Sequence, residues 1–156
     1  MNLRTARPDE ADAIARLWQS GWHDGHAGHV PQALVGARTE ESFRGRARSR
    51  LHEFTVAEVD GDVAGFIVVV EDELEQLYVS RIHRGQGVAD TLLREAERVI
   101  RANGHSVGWL AVVEGNARAR GFYERNGWHD EGAFDYAAAG DSGPIAVPCR
   151  RYTKVL

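Results

Sequence analysis

Two short stretches of this 156-residue chain combine residue types whose spacing could do chemistry. The first, Val79-Ser80-Arg81-Ile82-His83-Arg84-Gly85-Gln86-Gly87-Val88-Ala89, reads as a strand end, a glycine loop and a helix start. A helix N-terminus has free N–H groups and a partial positive charge, so it is a ready phosphate site. Gly85 and Gly87 would let the backbone approach a ligand with no Cβ in the way. Arg84, with Arg81 near it, could add charge-assisted hydrogen bonds to a diphosphate. No Gly-Lys-Ser/Thr follows, so this is not a nucleoside-triphosphatase loop, and a Gly-x-Gly-x-x-Gly fingerprint fails at its third glycine. Taken alone, the hexapeptide from Arg84 to Ala89 is equally a plain glycine turn that caps a helix.

The second stretch is Asn116-x-x-Ala119-x-x-Phe122-Tyr123-x-x-x-Gly127-Trp128. On a short helix, Ala119, Phe122 and Tyr123 share one side at i, i+3 and i+4. Singly, such aromatics more often pack in cores than catalyse. A third group lies earlier, where His23, His26 and His29 recur every three residues beside Trp22. Imidazoles at that spacing suggest a metal, yet apart from Asp24 no carboxylate or cysteine completes a ligand set, so no metal is expected.

These groups need elements to position them. Leu3 to Ala6 reads as an opening strand, and Pro8-Asp9-Glu10 supplies helix-start chemistry. Ala11, Ile14, Ala15, Leu17 and Trp18 form the apolar face of a first helix that Gly21 weakens or ends. Residues 22 to 38 read as irregular, and Thr39 can cap a second helix running to about Leu51. Phe54–Val59 and Val63–Val70 are strand-like runs joined by Asp60-Gly61-Asp62, a strong hairpin signal. Leu74–Ser80 is a further strand. Val88, Leu92, Leu93, Ala96, Val99 and Ile100 recur at helical spacing until Asn103-Gly104. A strand over Val107–Val113, a short helix over about Ala117–Arg125 and a strand over Trp128–Phe134 follow. Residues 135 to 148 read as a loop, and Cys149–Val155 as the closing strand. Two strand–helix–strand units in the C-terminal half predict a mixed sheet covered by helices.

The arginine-glycine loop and the Asn-Ala-Phe-Tyr-Gly-Trp helix, about thirty residues apart, together resemble the GNAT superfamily of N-acetyltransferases. The loop matches that family's Gln/Arg-x-x-Gly-x-Gly/Ala signature at Arg84, Gly87 and Ala89, and the helix its Asn-x-x-Ala-x-x-Phe-Tyr pattern at Asn116, Ala119, Phe122 and Tyr123. The element order agrees over essentially the whole chain, which implies a mixed α/β fold, mostly antiparallel, with one splayed parallel strand pair. Acetyl-CoA is the acyl donor the resemblance implies, lying between Leu74–Ser80 and Val107–Val113. Its pantetheine arm would follow Leu77, Tyr78 and Val79, and its diphosphate would sit on Arg84, Gly85, Gln86, Gly87, Val88 and Ala89. Asn116, Ala119 and Phe122 would complete the donor site. By the same resemblance Tyr123 would protonate the leaving thiolate, with Glu75 first and Glu73 second as candidates for the base. By alternation both carboxylates share a face with Leu77 and Val79 if the strand stays regular. The acceptor would be an amine, with Trp22, His23, His26 and Tyr136 lining its site. A coenzyme A-binding module without turnover, or one using another acyl group, is the alternative.

Composition bounds the rest. The length fits one domain spanning residues 1–156. A formal net charge of −4 speaks against a nucleic-acid partner. The lone Cys149, the absence of a secretory signal and the lack of a membrane-length apolar run predict a cytoplasmic protein with no membrane partner. Relatives of this kind are commonly homodimers.

Overall fold

Alternating apolar runs and glycine turns put seven strands into one sheet, and the helical repeats cover both of its faces. The computed structural model describes Met1 to Leu156. In chain order the elements are β1 (Asn2–Thr5), α1 (Ala11–His26), α2 (Gln32–Ala37), α3 (Glu40–Ser49), β2 (Phe54–Val59), β3 (Asp62–Val70) and β4 (Glu73–Val79). There follow α4 (Val88–Ala102), β5 (Val107–Val113), α5 (Ala117–Arg125), β6 (His129–Ala138) and β7 (Ile145–Val155). The sheet order is β1-β2-β3-β4-β5-β7-β6, and only β4 and β5 run parallel. No helix is long and apolar enough to cross a membrane.

Local chemistry accounts for several joints. Asp60 and Gly61 both take positive φ, 52° and 83°, the two-residue turn whose twist suits a β-hairpin. Thr39 caps α3 by accepting a hydrogen bond from the Ser42 amide at 3.1 Å. Asn116 does the same for α5, accepting from the Ala119 amide at 3.2 Å.

Three expectations need correction. The first helix does not end at Gly21; α1 continues through Gly21 and Gly25 to His26, and the segment expected to be irregular also holds α2. The supposed loop over residues 135–148 is mostly strand, since β6 runs to Ala138 and β7 starts at Ile145. Pro148 is tolerated because β5 ends at Val113 opposite Cys149, so Pro148 faces only β6, at Asp135. Finally, β4 is not regular. Its register against β3 shifts between Val68 and Val69, which pair with Gln76 and Leu74 and leave Glu75 as the extra residue. That bulge inverts the alternation, so Glu73 no longer shares a face with Leu77 and Val79.

Helix α1 stays regular through its glycines because they are contact points. A Cβ at Gly21 would run into the Tyr78 ring on β4, and one at Gly25 would lie 2.8 Å from the side-chain Nδ2 of Asn116. Bare backbone here lets α1 press onto the strand that borders the site. Gly21→Ala should therefore cost about 1–3 kcal/mol by overpacking, read as a fall in Tm, although alanine is the better helix former.

Two cores hold the sheet. On the α1 and α3 side, Trp18 is fully buried and meets Phe43, Phe54 and Phe66 edge-on at 5.5, 5.6 and 6.0 Å. On the α4 side, Ile67, Leu74, Leu92, Leu93, Leu110, Trp128 and Tyr152 pack together. Trp128 Nε1 donates to the buried Glu97 carboxylate at 3.2 Å, and Lys154 Nζ donates to the same oxygen at 2.7 Å. The tryptophan that ends the second motif thus ties the α5–β6 junction to α4.

Candidate active site

Strands β4 and β5 pair only at Glu73 and Trp109, and beyond that point they separate. A splayed pair cannot fill its own gap, so two cavities open there. The first, about 420 Å³, is a cleft running from the splay to the glycine loop. Leu77, Tyr78 and Val79 form one wall, Asn116, Ala119, Phe122 and Tyr123 another, and Arg84, Gly85, Gly87, Val88 and Ala89 the floor. The second, about 510 Å³, lies on the α1 and α3 side and contains Glu73, Glu75, Trp22, His26 and Tyr136. Leu77, Tyr78, Asn116, Ala119 and Tyr123 line both cavities, so they mark the junction.

The loop leaves its backbone open to the cleft. Gly85 and Gly87 take φ of 77° and 80°, and a Cβ at either would meet nothing within 4 Å, leaving open space over the backbone. Gly87 is the N-cap of α4 and offers no side-chain cap, so the first-turn amides of α4 have no partner there. Arg84 borders the cleft and is held at 3.2 Å by Asp24 of α1, which also accepts from Arg81 Nε at 2.9 Å. These two guanidiniums, Arg81 first, keep the Asp24 carboxyl at about 2. The residues present fit a diphosphate. Gln86 does not line the cleft; its side chain turns back to donate to the Ile82 carbonyl at 3.3 Å.

Tyr123 is 8% exposed, and burial alone pushes its phenol up, with no hydrogen bond offsetting it. Tyr78 is the same kind of group, raised by burial and packed against Phe66 at 5.7 Å. Two protonated phenols therefore line both cavities.

The two carboxylates differ. Glu75 accepts from Arg50 through both oxygens, at 2.7 and 3.0 Å. Glu73 accepts one hydrogen bond, from the Tyr136 hydroxyl at 2.7 Å, and burial lifts its carboxyl above the ordinary range. His26 stacks on Trp22 at 4.8 Å, and its Nδ1 lies 2.9 Å from the Trp22 carbonyl. Burial pushes that imidazole down to about 4, so it is neutral at physiological pH. His23 is exposed and lines neither cavity. No group of three or more His, Cys, Asp or Glu side chains could hold a metal ion.

Sequence reasoning missed Arg38, Arg46 and Arg50, all of which line the larger cavity. Arg38 sits in the segment read as irregular, and nothing in the pattern told Arg46 and Arg50 apart from solvated helix charges. In the cleft it missed His83, Arg118 and Arg125.

Residues 12–128 match the model of the acetyltransferase (GNAT) family. A curated relative, streptothricin acetyltransferase from Streptomyces lavendulae, is 35% identical over 81 residues, which is 48% of this chain and 43% of that protein. The fold is that of a GCN5-related N-acetyltransferase from Rhodopseudomonas palustris, with a TM-score of 0.75, 22% identity and coverage of 99% and 95% of the two chains. It is also that of the PaiA N-acetyltransferase of Thermoplasma acidophilum, solved in complex with coenzyme A, with a TM-score of 0.70, 21% identity and coverage of 99% and 98%. With a family match over most of its length and the motif residues gathered at one splayed strand pair, this chain belongs to the acetyltransferase (GNAT) family.

Proposed function

We propose that this domain transfers an acetyl group from acetyl-CoA to a primary amine by direct attack of the neutral amine on the thioester. The observation that carries this reading is the position of Tyr123, a protonated phenol at the junction of an anion-binding cleft and a second cavity. Gly85, Gly87 and the first amides of α4 would take the donor's diphosphate, with Arg84 adding charge. Leu77, Tyr78 and Val79 on one side and Asn116, Ala119 and Phe122 on the other would flank its arm. The thioester would then lie beside Tyr123, whose hydroxyl gives its proton to the departing thiolate. The Leu77 main-chain N–H is the group we assign to the carbonyl oxygen as charge develops there. A reaction drawing on acetyl-CoA belongs in the cytoplasm, the setting we assign.

The amine must lose a proton before or during attack. Arg50 holds both oxygens of Glu75, so we give the base role to Glu73, reached directly or through a water. The active form is the carboxylate, and burial raises the pH at which it appears. Acceptor kcat/KM should therefore rise with pH through a pKa above the ordinary glutamate range and be lost as pH falls through it. Glu73→Gln should remove that limb and lower kcat/KM by about 100-fold. Survival of the limb in the variant would move the role to Glu75 or to a water chain.

Thiol release from acetyl-CoA over a panel of primary amines, with coenzyme A titrated calorimetrically beside it, tests the reading as a whole. Amine-dependent release supports it. Tight coenzyme A binding without turnover would assign a silent binding module, and no coenzyme A affinity would overturn the donor site.

A further inference from the structure

Two arginines in the larger cavity have no hydrogen-bonded or ion-paired acid in the chain. Arg38, which follows α2, is only 8% exposed, yet its guanidinium makes no hydrogen bond or ion pair within the protein. Asp141, an exposed residue of the β6–β7 turn, attracts it without bonding to it. Arg46, on α3, lies 4.5 Å over the Trp18 ring, and Glu75 attracts it without bonding to it. Their neighbour Arg50 supplies the contrast, since it is satisfied by Glu75 at 2.7 and 3.0 Å and by Glu53 at 2.9 Å. Burial lowers both unpaired guanidiniums, Arg46 to about 10, and Arg38 repels Arg46 further. A buried charge without a partner is costly, and here the cost is carried at the wall of a cavity rather than relieved by an internal acid.

We propose that the larger cavity takes an acceptor carrying a carboxylate as well as its amine, with Arg38 and Arg46 holding the carboxylate. The inference rests on the acetyl-transfer reading for which end of the ligand reacts. The amine end belongs near Tyr123 and Glu73, because Glu53 and Glu75 are already occupied by Arg50. Neither Arg38 nor Arg46 lines the cleft that fits the donor diphosphate, so they are not donor-binding groups. A volume of about 510 Å³ has room for a small molecule, a free amino acid included.

The test compares free L-amino acids with their C-terminal amides as acceptors, at saturating acetyl-CoA. The amide's amine is the less basic, so more of it is deprotonated at a given pH and intrinsic reactivity favours the amide. A preference of the wild type for the acids is therefore a property of the site. Arg38→Met, which keeps the packing of the stem, should lower kcat/KM for the preferred acid about 10- to 100-fold and draw the acid-to-amide ratio towards one. Arg46→Lys should retain part of the preference, because it keeps the charge and loses the fork. Coenzyme A affinity, measured calorimetrically, reports whether each variant is folded. A wild type that prefers amides or polyamines overturns the inference while leaving acetyl transfer intact. If coenzyme A does not bind, the acetyl-transfer reading fails instead, and a Tm raised by amino acids but not by their amides still supports the arginine site. An amino acid panel that gives neither turnover nor a Tm shift in the coenzyme A-loaded protein overturns it outright.

Discussion

Tyr123→Phe should lower kcat for acetyl transfer by about 100-fold or more while leaving the affinity for acetyl-CoA nearly unchanged. The substitution deletes one hydroxyl from a side chain whose ring is packed against Phe122 at 5.2 Å and Trp128 at 6.2 Å. The ring contacts survive, so the fold and the wall of the cleft should survive with them. Loss confined to kcat is the signature of a group that acts in the transition state rather than in binding. Burial raises the Tyr123 phenol, so it stays protonated through neutral pH, as a proton donor must. The measurement is steady-state thiol release beside calorimetric titration of acetyl-CoA, with a single-turnover experiment to establish that chemistry limits the rate. Unchanged turnover under that condition rejects the assigned role. Tyr78→Phe is the informative companion, because Tyr78 lines the same two cavities and its phenol is raised by the same burial. A large loss in that variant alone would transfer the acid role across the cleft.

Replacing Gly87 with leucine should weaken coenzyme A binding by about 100-fold and lower Tm as well. Gly87 takes φ of 80°, a left-handed conformation that costs a side-chain-bearing residue about 1–2 kcal/mol. The added side chain would also stand in the open space over the backbone, where a Cβ meets nothing within 4 Å. That space is where a phosphate has to approach the first amides of α4. Strain and obstruction are separable. Gly104, at the far end of α4, has φ of 92° and equally open surroundings, so Gly104→Ala carries the strain alone. It should lower Tm without changing coenzyme A affinity. If Gly87→Leu falls in Tm by a similar amount but binds coenzyme A normally, the loop is a helix cap and not a phosphate site.

The sequence by itself determined the glycine loop and the two helices beside the cleft. Gly85 and Gly87 before an amphipathic run need only local chemistry to become a left-handed turn and an uncapped helix start, and both are as the pattern implied. Asn116 to Tyr123 is likewise a local helix, begun by a side-chain cap three residues long, so its spacing survived folding unchanged. The mixed sheet followed from strand and helix alternation and its one parallel pair from the family resemblance, whereas the strand order was set by the folded chain. Tertiary structure decided the rest. Periodicity had α1 weakened or ended at Gly21, because a glycine's cost in a helix is local while its benefit lies in Tyr78, far along the chain. Alternation put Glu73 and Glu75 on the face of Leu77, because a bulge is a property of two strands and cannot be seen in one. The rank of those carboxylates rests on which of them finds an arginine, and Arg50 lies 25 residues from Glu75. Nothing in the pattern marked Arg38 or Arg46 until the folded chain set both at a cavity wall without a bonded acid, Arg38 buried and Arg46 partly so. Whether a charge is paired is decided by long-range packing, so the charged wall of the larger cavity became legible only in three dimensions.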